Sequence, residues 1–153
     1  MINDNKFLSE NEINGIRSAI FSQEVPVFWT FHANEKDIIH YTKTLGGEES
    51  KFNILTENII RKFCDNNCVG QVAHISSRIL LLPQAYAPES LKVVNTETII
   101  YVVDNSDSII TINGQQFESI AGMAILFNKG TPYYITNPKK SDFAAMIEVS
   151  ISL

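Results

Sequence analysis

The sequence is poor in the residues that mark the specialised protein classes. Cysteine occurs twice, at Cys64 and Cys68, which cannot make the disulfide framework of a small secreted domain. No third and fourth Cys or His follow at usable spacing, so the pair also fails as a zinc site and reads as reduced thiols. No apolar run approaches the roughly 18 to 20 residues of a membrane span. The opening MINDNKFLSENE lacks the basic start and apolar stretch of a secretory signal. Basic residues are scarce: twelve Lys and Arg against seventeen Asp and Glu give a net charge of −5. The only paired basics, Arg61–Lys62 and Lys139–Lys140, make no stripe for a row of phosphates. Seven Gly and five Pro are too few for a low-complexity chain, and nine Phe are too many for disorder. Nucleic acid and membrane are therefore not expected partners, and a cytoplasmic setting is expected.

What is present is an ordinary globular composition, 153 residues with 44% apolar and 10% aromatic, enough for one domain. Ser9 and Glu12 form a capping box, and Ile13, Ile16 and Ile20 then recur at helical spacing. VFWTFH (27–32) reads as a strand on its aromatic and β-branched content. The polar stretch 33–50, with Gly46–Gly47 near its end, reads as a loop holding at most one helical turn. A second helix carries Phe52, Leu55, Ile59 and Phe63 on one face, and DNNCVG closes it.

From residue 73 the pattern becomes β. HISSRILLLPQAY, TETIIYVVD, SIITING, QQFES, MAILFN, YYITN and FAAMIEVSISL are seven short strand-like runs. Asn113–Gly114 is the strongest hairpin signal, since a type I′ turn needs positive φ at both residues. The last run places Ala145, Ile147, Val149, Ile151 and Leu153 on one side and Glu148, Ser150 and Ser152 on the other. One side is packed and the other faces water or a cavity. The expectation is a single α+β domain over 1–153: a helical and mixed part over 1–72, packed on a jelly-roll β part over 73–153.

The segment AGMAILFNKGTPYYITN (121–137) resembles the second motif of the cupin superfamily. Gly122, Gly130 and Asn137 fall in its register, and Thr131–Pro132 matches the residues before its histidine. The order FLSENEINGI, VPVFWTF, FNILTENIIRKF, HISSRILLLPQAY is similar to that of short 2-oxoglutarate/iron oxygenases of the prolyl-hydroxylase type. Both resemblances imply a double-stranded β-helix, a jelly-roll, cupin-like barrel. The chemistry that they imply is missing. Tyr133 stands where the cupin histidine would be, Asn128 replaces the motif proline, and Met123 follows the glycine. APESLKVVNTE offers only Glu89, Lys92 and Glu97 as ionisable residues. The oxygenase pattern implies His-x-Asp, a distal His, and a basic residue a strand later for the co-substrate carboxylate. Those places read Glu89-x-Leu91, Tyr133, and Ala145 or Met146.

His32, His40 and His74 precede the ligand-bearing region. His32 and His74 read as capping or partly buried polar residues, and His40 as a solvated loop residue. No G-x-S-x-G elbow and no Walker loop occurs, and Glu48 and Glu49 after Gly46–Gly47 would repel a phosphate. Tyr133 is either core filler in a lost metal site or, as in metal-independent cupin-like isomerases, a general acid paired with Lys92 or Glu89. Arg78 is either a co-substrate contact or an edge charge that discourages sheet pairing. The expectation is a catalytically inactive protein with no metal and no cofactor. It would bind a small molecule, or a protein partner, through a barrel lined by Arg78, Glu89, Lys92, Tyr101 and Tyr133, and could form a homodimer. An active non-haem iron 2-oxoglutarate oxygenase with atypical ligands, and a metal-free isomerase using Tyr133, are the alternatives.

Overall fold

The computed structural model describes residues 1–5, 8–21, 30–33, 39–45, 51–82, 92–103, 108–136 and 144–153. Two helices and eleven strands are defined among them. Helix α1 (Glu10–Phe21) starts where the capping box predicts. Ser9 N–H donates to Glu12 Oε1 (3.1 Å) and Glu12 N–H donates to Ser9 Oγ (3.3 Å), so two otherwise orphaned amides are satisfied reciprocally. Lys62 Nζ, on α2 (Lys51–Asn66), reaches the same Glu12 oxygen at 2.6 Å. That bond and the cap hold the Glu12 carboxyl down at about 2. Helix α2 ends with Cys68 at φ 54, and Val69 N–H donates to Cys64 O at 3.0 Å. This is the left-handed closure of a Schellman motif, made here without glycine.

The strands form two antiparallel sheets. The larger has seven strands in the order β1 (Ile2–Asp4), β9 (Ala124–Phe127), β6 (Glu97–Val102), β11 (Ala144–Ser152), β4 (Ala73–Leu82), β3 (Ile39–Leu45), β2 (Thr30–Ala33). The smaller has four, in the order β5 (Lys92–Val93), β10 (Pro132–Thr136), β7 (Ile109–Ile112), β8 (Gln115–Glu118). Asn113 (φ 49) and Gly114 (φ 82) make the two-residue turn between β7 and β8, with Ile112 opposite Gln115, as the Asn-Gly signal predicts. Gly122 at φ 86 lies in the turn before β9. A Cβ there would come within 2.7 Å of Ile13 Cδ1, so this motif glycine admits α1 against the sheet rather than bending a strand.

Two expectations need correcting. The stretch 33–50 is not all loop: residues 39–45 form β3, paired with both β2 and β4. His40 therefore lies in a strand, in register with His32. Residues Ile2–Asp4 add a further strand beside β9, so the N-terminal part contributes to the large sheet as well as covering it. Asn137 of the motif, like Glu89, lies outside the described residues.

Two cores use opposite faces of the large sheet. One packs Leu8, Ile16, Ile59, Ile60 and Phe63 of the helical layer on Ile79, Ile99, Tyr101, Ile147 and Val149. The other lies between the sheets and joins Leu80, Leu82, Ile100, Val102, Phe127 and Met146 of the large sheet to Ile110, Ile112, Tyr133 and Ile135 of the small one. Strict alternation assigns neighbours such as Met146 and Ile147 to different cores.

Candidate functional site in the bowl between the sheets

Along the interior face of the large sheet, composition changes with height. On β11 the inward series runs Ala144, Met146, Glu148, Ser150. On β4 the register partners are Leu82, Leu80, Arg78 and Ser76. The floor is therefore apolar, and polar residues begin at the level of Glu148 and Arg78. From the small sheet, Tyr133 (β10) and Lys92 (β5) arrive as register partners of each other.

These four side chains meet. Arg78 Nε donates to Glu148 Oε1 at 2.8 Å and Nη2 donates to Oε2 at 3.0 Å, a bidentate pair. Lys92 Nζ lies 3.3 and 3.2 Å from the two carboxylate oxygens. The Tyr133 hydroxyl donates to Oε2. Its ring stacks obliquely on Phe127, with centroids 5.2 Å apart, and Lys92 Nζ sits 5.7 Å above it. The Glu148 side chain is only 9% exposed, whereas Arg78 is 29% and Lys92 46% exposed. Burying a carboxylate this deeply costs several kcal/mol unless donors surround it, and here three do. Burial first, and the adjacent Glu148 charge second, push the Tyr133 phenol well above its usual value. Tyr133 thus stays protonated and its proton is committed to Glu148.

Of the residues expected to line the barrel, Arg78, Lys92 and Tyr133 converge on one point. Tyr101 does not: β6 alternation turns it, fully buried, into the core under the helices. Arg78 is not an edge charge, because β4 lies between β11 and β3. Glu148 is the residue that sequence reasoning missed, placed only on the polar side of the last strand. The final strand, where the oxygenase resemblance implies a basic residue, presents an inward acid instead. Ala145 faces the helices and Met146 packs in the inter-sheet core.

Among the described residues no three His, Cys, Asp or Glu side chains are grouped to hold a metal ion. The described donor set in the bowl does not suit one: the one carboxylate among the described residues there, Glu148, is already matched by two cations, which oppose a divalent ion. His74 is instead engaged with Ser77 (Nε2 to Oγ, 2.7 Å). Cys64 is buried and Cys68 exposed, both as free thiols. A cleft of about 490 Å³ lies away from the bowl, beside α2, lined by Glu57, Arg61, Cys64, Val69 and His74 among others. Among the described residues it gathers no comparable set of interacting groups.

No family model matches the chain, and no curated protein matches its sequence. Solved structures do match, over nearly its whole length. The non-heme alpha ketoglutarate dependent epimerase SnoN from nogalamycin biosynthesis aligns with a TM-score of 0.79 at 8% identity, over 98% of this chain and 77% of that one. The fold is the double-stranded β-helix. A Pseudomonas putida prolyl-4-hydroxylase shares this β-helix with a TM-score of 0.65 at 7% identity, over 97% and 91% of the two chains. The viral collagen prolyl hydroxylase vCPH of Paramecium Bursaria Chlorella virus-1, in its 2OG complex, gives 0.62 at 13%, over 98% and 94%. At such identities the likeness establishes the β-helix scaffold and leaves chemistry to the residues in the bowl. No helix among the described residues is long and apolar enough to cross a membrane.

Proposed function

We propose that this protein is a non-catalytic relative of the 2-oxoglutarate/iron oxygenases in fold, which binds a small molecule in the bowl without iron. The observation that carries this reading is the Glu148 carboxylate, held jointly by Arg78, Lys92 and Tyr133. A cluster of this charge fills the middle of the bowl with fixed ion pairs instead of open metal ligands. The isomerase alternative is weakened by the same contacts, since a phenol raised well above its usual value and bonded to Glu148 is a poor proton donor.

The test is metal content after anaerobic incubation with iron(II) and 2-oxoglutarate, followed by desalting. The expected result is no retained iron. About one iron per chain would overturn the proposal and restore the oxygenase.

A further inference from the structure

The four-residue cluster also constrains what the bowl accepts, provided that the binding role proposed above is right. We infer that the bowl takes a small monocarboxylate, gripped by the outward N–H groups of Arg78 and Lys92, with Glu148 as the fixed counter-charge that rejects dianions.

Three observations lead there. The first is the gradient of exposure. The anion of the cluster is only 9% exposed, while its two cations are 29% and 46% exposed. A solute arriving from the polar end of the bowl, marked by Ser76 and Ser150, meets positive charge first. The second is donor capacity. A guanidinium has five N–H donors, and Glu148 takes one from Nε and one from Nη2. The terminal Nη1–Nη2 edge keeps the fork that matches a planar carboxylate. Lys92 has three donors and directs two of them at the Glu148 oxygens, so its half-exposed ammonium keeps a third for a second acceptor. The third is valence. Among the described residues two cations face one carboxylate, and Tyr133 stays neutral. One added negative charge balances the cluster. A second would be left unpaired beside Glu148, where screening by water is reduced. Glu148 is thus the specificity-determining residue, acting through the charge it subtracts.

The experiment titrates the full chain with propionate, succinate and chloride, following amide chemical shifts in β4, β5 and β10. The expected order is propionate tighter than succinate, with chloride weakest. Glu148→Gln keeps the shape and removes the charge, so it should tighten succinate about tenfold and more than it tightens propionate. Lys92→Met, at a half-exposed position, should weaken propionate about tenfold. Wild-type protein that prefers succinate, or a Glu148→Gln variant with unchanged succinate affinity, would overturn the inference. So would a bowl whose amides respond to neutral 1-propanol but to no anion, although the binding role would then survive. Retained iron in the metal assay would instead remove the binding role itself. Should Glu148→Gln not fold, the wild-type order and Lys92→Met still decide.

Discussion

Strand β11 serves two cores with adjacent residues, and the two are stabilised by different physics. Ile147 is fully buried among hydrocarbon from α1, α2 and its own sheet, and an apolar side chain of similar volume would serve there. Glu148, one residue on, is almost as buried, yet its stability depends on three particular donors from β4, β5 and β10. The helix-covered face is a non-directional core that holds the sheet. The bowl face carries a directional cluster that ties the large sheet to the small one at a defined point. A fold needing only stability would repeat the first kind of core on both faces, since buried ion pairs seldom outperform hydrocarbon of equal volume.

Substitutions can pull these two contributions apart. The largest loss is expected from Ile147→Ala, about 3 kcal/mol by chemical denaturation, with the response of the bowl to propionate unchanged. Arg78→Met should cost somewhat less, about 2 to 3 kcal/mol, because Glu148 keeps Lys92 and Tyr133. Combining Arg78→Met with Glu148→Leu should recover most of that loss while abolishing the anion response. A double variant as unstable as the single one would show that the ion pair is a net source of stability. The smallest effect belongs to Tyr133→Phe, about 1 kcal/mol near neutral pH. Its pH dependence gives a second handle. The folded phenol is held above its usual value and stays protonated, while the unfolded one ionises near about 10. Wild-type stability therefore falls as pH rises above about 10, and the gap to Tyr133→Phe should narrow from about pH 10 upward. A constant gap would place the phenol outside the cluster.

The features legible in the sequence were those fixed by local chemistry. Ser9 and Glu12 announce a helix start three residues apart, and Asn113–Gly114 supplies the positive φ pair of a tight hairpin. β11 alternates so cleanly that its two sides could be told apart, although Leu153, assigned to the packed side, is exposed. β3 was not legible, because IHYTKTL is too polar to look like a strand and is one through pairing with β2 and β4. β1 has three residues and no pattern at all. Tyr101 and Tyr133 look equivalent in a list of aromatic residues, and only the parity of their strands separates helix-facing from inward-facing. Glu148 was hidden for a related reason: a polar residue opposite an apolar stripe reads as solvent-exposed. A signal did exist. Its same-parity neighbours Ala144 and Met146 are apolar, as are Leu80 and Leu82 beside Arg78, and a charge embedded in an apolar parity predicts a buried partner of opposite sign.

The place of β11 in the large sheet has a consequence for synthesis. It is the last of the described strands in chain order, yet it lies between β4 and β6 rather than at a margin. Until it is made, β4 and β6 each present an unpaired edge rich in isoleucine and leucine, open to any other strand nearby. The β7–β8 hairpin closes over a handful of residues, whereas β11 must find β4 across some seventy, the slowest kind of contact to form. The nascent chain therefore exposes both of these adhesive edges until β11 is available to pair with them, and chaperone dependence should peak in that interval.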